Sequence, residues 1–140
     1  MKISARNVLA GTVEKVTKGA VNAEINLILE GGEKIAAIIT NASAAALKLK
    51  KGAAAFAVVK ASEVMIGTEM DGAKLSARNV LEGVVSKVLA GAVNSEVVLT
   101  LPGGSKVVAS ITKASVKTLG LKKGKKASAV IKASNVMVGV

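Results

Sequence analysis

From Val21 to Glu30 the chain alternates, with Val21, Ala23, Ile25, Leu27 and Leu29 on one side and Asn22, Glu24, Asn26 and Glu30 on the other. A period of two predicts a half-buried strand. The same alternation restarts at Val93. A glycine pair, Gly31-Gly32 in the first case and Gly103-Gly104 in the second, then precedes another apolar run. Glycines between two such runs supply the positive φ of a primed hairpin turn, so each pair predicts a hairpin. After Ile39-Thr40, the segment Asn41-Ala42-Ser43-Ala44-Ala45-Ala46-Leu47 opens with residues of the capping kind and predicts a short helix, with Lys113 to Leu119 as its counterpart. Lys51-Gly52 and Lys123-Gly124 end that connection, and strand is expected again over Ala53 to Val59 and Ser62 to Ile66.

The two series are copies. Ser4-Ala5-Arg6-Asn7-Val8-Leu9 recurs as Ser76-Ala77-Arg78-Asn79-Val80-Leu81, Gly19-Ala20-Val21-Asn22 as Gly91-Ala92-Val93-Asn94, and Lys60-Ala61-Ser62 as Lys132-Ala133-Ser134, all at an offset of 72. Aligned without a gap, the copies agree at more than half of their positions. The reading is therefore two tandem domains, 1–68 and 74–140, joined by a short polar linker at 69–73 and resting against each other. Within each copy the order strand, strand, strand, short helix, strand, strand predicts an all-β fold with short helices: a five-stranded Greek-key barrel of the OB type.

Composition narrows the function. The chain has no Cys and no His, which removes thiolate metal sites, disulfides, zinc enzymes and Ser-His-Asp hydrolases. Hydrophobic residues make up 51% but aromatics only 1%, so the core must be aliphatic, and half-chains of about 66 residues bury little surface alone. The apolar surplus points to an obligate oligomer. No apolar run is long enough for a membrane span or a signal peptide, so no membrane partner and a cytoplasmic location are expected. The net charge of +11 falls mainly on residues 74–140, with eleven basic and two acidic groups; it suits anionic partners or a solvated surface equally.

Arginine is more selective. Of twenty basic residues only Arg6 and Arg78 are Arg, and they hold equivalent positions. A guanidinium grips an oxyanion with a rigid planar fork of donors, although it could also staple a barrel terminus to a carbonyl. Lys60-Ala61-Ser62 and Lys132-Ala133-Ser134 offer an ammonium, a hydroxyl and strand-junction N–H groups for an anion nest. Ser43 and Ser115, near the helix start, either cap it or add donors to such a nest. Gly19, Val21 and Asn22, with Gly91, Val93 and Asn94, mark either a plain turn or close backbone approach to a ligand.

In this order and combination, Ser-Ala-Arg-Asn, Gly-Ala-Val-Asn, Ile-Thr followed by Ser, and Lys-Ala-Ser resemble the Mop domain of molbindins and of molybdate-responsive regulators and transporter ATPases. The likeness covers nearly the whole chain, twice. It implies a di-Mop molbindin that binds molybdate, or its near-isostere tungstate, for storage, buffering or homeostasis. It further implies a homotrimer with sites between domains, no cofactor, no directly coordinated metal cation and no catalysis. By position, Ser4, Arg6, Ser43, Lys60, Ala61 and Ser62 would line one class of site, repeated as Ser76, Arg78, Ser115, Lys132, Ala133 and Ser134. A second class, on the threefold axis, would lie near Gly19, Val21, Asn22, Gly91, Val93 and Asn94. Ser62 is followed by Glu63 and Ser134 by Asn135, so affinity need not be equal in the two copies.

The rival is an OB-type module for single-stranded nucleic acid. Such modules stack bases on aromatic side chains, and here the single Phe56 is matched in the second copy by Ser128. No nucleic-acid partner is expected. Among the nine carboxylates only Glu24 and Glu96 coincide at the offset of 72, so no acid and base pair recurs for catalysis.

Overall fold

The computed structural model describes residues 1–140. The first repeat contains β1 (Asn7–Lys18), β2 (Asn22–Leu29), β3 (Lys34–Thr40), α1 (Asn41–Ala46), β4 (Ala54–Val59), a 3-10 turn (Ala61–Glu63) and β5 (Met65–Gly67). The second contains β6 (Asn79–Ala90), β7 (Asn94–Thr100), β8 (Lys106–Thr112), α2 (Lys113–Thr118), β9 (Lys126–Ile131), a 3-10 turn (Ala133–Asn135) and β10 (Met137–Gly139). The alternation seen in sequence is the burial pattern: Ala23, Ile25, Leu27 and Leu29 are fully enclosed, while Glu24 and Asn26 stay partly exposed.

Three local expectations change. Strand pairing starts at Met65 rather than Ser62, because Glu63 N–H donates to the Lys60 carbonyl and Val64 N–H to the Ala61 carbonyl. One tight turn therefore comes first, and it delivers Val64 to the core. The hairpin turn has three residues, closed by Gly32 N–H to the Leu29 carbonyl and Leu29 N–H to the Glu33 carbonyl. Only its last residue needs the left-handed region, with φ 93° at Gly32 and 94° at Gly104. The preceding glycines serve packing instead, since a Cβ on Gly103 would lie 2.1 Å from the Gly31 carbonyl oxygen where the two hairpin tips meet. Helix capping falls to Thr40 and Thr112, whose hydroxyls accept the Ser43 and Ser115 N–H groups at 3.0 and 3.1 Å.

Two five-stranded antiparallel sheets result, ordered β10-β4-β1-β2-β3 and β5-β9-β6-β7-β8. Four strands of one repeat run 4-1-2-3, the Greek-key order. The fifth position is filled from the other repeat: β10 pairs with β4 through Val138↔Ala57, and β5 pairs with β9 through Ile66↔Ala129. β10 also packs beside β3, and β5 beside β8, which curls each sheet into an OB-like barrel. Strand exchange leaves one continuous hydrophobic cluster of 26 buried residues drawn from both repeats, so the two barrels share a core.

Candidate functional site

The seam between the repeats is fixed by two asparagines. Asn7 starts β1 and is 2% exposed; its amide Nδ2 donates to the Val108 carbonyl at 2.8 Å and its Oδ1 accepts Val108 N–H at 2.7 Å. Asn79 grips Ala36 in the same way at 2.8 and 2.7 Å. Each asparagine thus acts as one more strand residue along the outer edge of the other repeat's third strand.

Successive side chains of an extended segment point in opposite directions, so burying Asn7 and Asn79 turns Arg6 and Arg78 outward. The β1–β4 register, Asn7 opposite Val59, places Lys60 beside Arg6; Asn79 opposite Ile131 does the same for Lys132 and Arg78. A concavity of about 430 Å³ results, whose polar lining is Ser4, Arg6, Lys60 and Ser62 from the first repeat and Glu96 and Ser110 from the second, beside the apolar Ile3, Ala5, Ala61 and Met137. The alternation that turns Val108 N–H toward Asn7 also turns Ser110 N–H away from β7 and toward this space. Hydroxyls, an ammonium, a guanidinium and an edge N–H converge there, a set dominated by donors that suits an oxyanion.

The guanidinium groups are already engaged. Arg6 is hydrogen-bonded to Glu96 on β7. Arg78 is held by Glu24 on β2 through both of its terminal nitrogens, at 2.6 and 2.8 Å. Those hydrogen bonds from Arg78, helped by one from Asn26, hold the Glu24 carboxyl below its ordinary range, and Glu24 raises Arg78 in return. The arginine-to-carbonyl staple is therefore not what forms; the partner is a carboxylate of the opposite repeat.

Five of the six residues expected for the first site, Ser4, Arg6, Lys60, Ala61 and Ser62, line this one concavity. Ser43 does not; its N–H and hydroxyl are tied to Thr40 at the start of α1, as those of Ser115 are to Thr112. Gly19, Val21 and Asn22 make the β1–β2 turn, closed by Gly19 N–H to the Asn22 carbonyl at 2.7 Å. Gly91, Val93 and Asn94 occupy the matching connection between β6 and β7. Val21 and Val93 project there at 71% and 73% exposure. Glu63 and Asn135, where the copies depart from each other, are hydrogen-bonded partners at 2.9 Å, so the two Lys-Ala-Ser turns flank one seam. The roles of Asn7, Asn79, Glu24, Glu96 and Ser110 were not anticipated. For the first four the signal was present, since each recurs at the offset of 72. No cluster of His, Cys, Asp or Glu could hold a metal ion, and no helix is long and apolar enough to cross a membrane.

Comparison with known proteins is consistent across the chain. The model of the TOBE domain matches residues 3–66 and again 75–138. The molybdenum transport protein ModE of Herbaspirillum seropedicae is 45% identical over all 140 residues, which correspond to 52% of that protein. The molybdenum-pterin-binding protein MopA of Rhodobacter capsulatus is 42% identical, again over the whole chain and 53% of its own length. The chain thus spans about half the length of these curated relatives. A solved structure of the cytoplasmic molybdate-binding protein ModG, with molybdate bound, superposes with a TM-score of 0.97 and 54% identity, covering 100% of this chain and 99% of that one.

Proposed function

Because the chain belongs to the TOBE-domain family, in two tandem copies, we propose that it is a molybdate-binding protein that holds the anion reversibly and performs no chemistry on it. The supporting observation is the convergence of Ser4, Arg6, Lys60 and Ser62 on one concavity at the seam, in a chain whose full length resembles a protein solved with molybdate. A tetrahedral dianion presents four oxygens that all accept hydrogen bonds, and the side chains carried by these four residues are donors. Tungstate, of the same charge and shape, would occupy the same space. The likeness to a protein described as cytoplasmic supports storage, buffering or homeostasis in the cytoplasm.

The donors of one chain are open to solvent on one side: the Arg6 and Arg78 side chains are 53% and 52% exposed. We place the missing donors on neighbouring copies in a homotrimer. Ser43 and Ser115, which do not line the concavity of their own chain, would complete sites on a neighbour, and the Gly19–Asn22 and Gly91–Asn94 turns would face the threefold axis. Assembly and anion binding then reinforce each other, because a ligand that fits only the assembled form stabilises it by mass action. Native mass spectrometry with and without molybdate tests this directly. The expected spectrum is a trimer that takes up a fixed number of oxyanions; a monomer that retains none would overturn the proposal.

A further inference from the structure

The carboxylates that face the two arginines are the least expected part of an anion site. Glu24 and Glu96 are the only acidic pair preserved at the offset of 72, and each reaches across the seam to the arginine of the other repeat. Resting on the molybdate-binding reading, we infer that Glu24 and Glu96 are internal competitors for the oxyanion: each occupies its arginine until an incoming dianion displaces it, and so sets how tightly the site binds.

The argument is one of geometry and charge. Arg78 directs both terminal nitrogens at the two oxygens of Glu24, so the fork that would hold an oxyanion is filled by a carboxylate of similar bite. Glu96 lines the same concavity as Ser4, Lys60, Ser62 and Ser110, so an anion entering there meets a negative charge as well as donors. Either the carboxylate swings away or it repels the ligand at close range; both outcomes lower affinity. A tethered competitor acts at a fixed effective concentration, so dilution of the protein does not remove it. After the dianion departs, the carboxylate returns to the guanidinium and satisfies its donors. Reversible release is thereby favoured over trapping.

The two latches differ in strength. Glu24 makes two hydrogen bonds to Arg78 and is also held by Asn26 Nδ2 at 3.3 Å. Glu96 makes one to Arg6, and the position equivalent to Asn26 is Val98, which has no donor to offer. The Arg6 site is therefore the easier to open, and it fills at lower molybdate than the Arg78 site.

The test is a calorimetric titration of molybdate into the full-length wild type and its Glu24→Gln, Glu96→Gln and Asn26→Val variants. Glutamine keeps the length and an acceptor oxygen but loses the charge, so it can still orient an arginine without competing as an anion. Each Glu→Gln change is expected to tighten binding at its own site by roughly twofold to fivefold, the range for losing a partly exposed ion pair. The gain at the Arg78 site should exceed that at the Arg6 site. Asn26→Val copies the residue found in the other repeat, so it folds even if a glutamine variant does not; it should tighten the Arg78 site by a smaller factor and bring the two sites closer together. Unchanged or weaker binding in the variants, with a wild type that binds normally, would overturn the competitor role alone. A wild type and variants that all ignore molybdate would remove the binding proposal and this one with it.

Discussion

At the scale of single residues, the seam rests on two asparagines whose side chains imitate backbone. The Asn79 amide satisfies both the N–H and the carbonyl of Ala36 on an otherwise unpaired strand edge, in a position that water does not reach. Leaving buried polar groups without partners costs about 1 to 3 kcal/mol each. Asn79→Ala is accordingly expected to destabilise the chain by about 3 kcal/mol in a chemical denaturation experiment, far more than Ser76→Ala at an exposed neighbouring position. A loss under about 1 kcal/mol would mean that the edge finds other partners. The arginines were legible in the sequence because they are scarce and equivalent. Their carboxylate partners were not, because Glu24 on an alternating strand looks the same whether its neighbour across the sheet is water or a guanidinium. Only the meeting of the two repeats decides that.

At the scale of elements, alternation located β2 and β7 and the order of strands about one short helix suggested a Greek key, and both are present. What local pattern could not reveal is which repeat each last strand joins. Met65–Gly67 carries only three residues of pairing, and its partner Ser128–Val130 is as compatible with it as the equivalent stretch of its own repeat. The short Thr68–Ala73 connection decides between them by holding the two barrels close enough to trade strands. A half-chain of residues 1–68 lacks the strand that covers the free edge of β4 and carries a β5 with nowhere to go. Two such halves satisfy both needs by reciprocal exchange. Residues 1–68 expressed alone are therefore expected to sediment as a dimer or a multiple of it, and a well-folded monomer in analytical ultracentrifugation would show that β5 can turn back onto its own sheet.

At the scale of the whole molecule, the apolar surplus that suggested association is partly exposed, and its most exposed equivalent pair is Val21 and Val93, at 71% and 73%. Val21 and Val93 stand almost free at equivalent turns, Leu89 lies close by at the end of β6, and none of them contributes to the shared core. Exposed aliphatic side chains at symmetric places are what a self-complementary assembly would bury. Charge works against it, since three copies each carrying +11 repel one another unless anions sit between them. In the proposed trimer the hydrophobic contact and the bound dianions would act together, and removing one should make the other insufficient. Val21→Asp combined with Val93→Asp leaves the core untouched and places carboxylates where aliphatic groups are proposed to meet. The expected result in sedimentation velocity is a folded single chain in place of the proposed trimer, with molybdate uptake weakened at the same time because neighbours would no longer close its sites. If the doubly substituted protein stayed trimeric, the valines would have to face solvent in the assembly, and the threefold contact would have to be sought on another face.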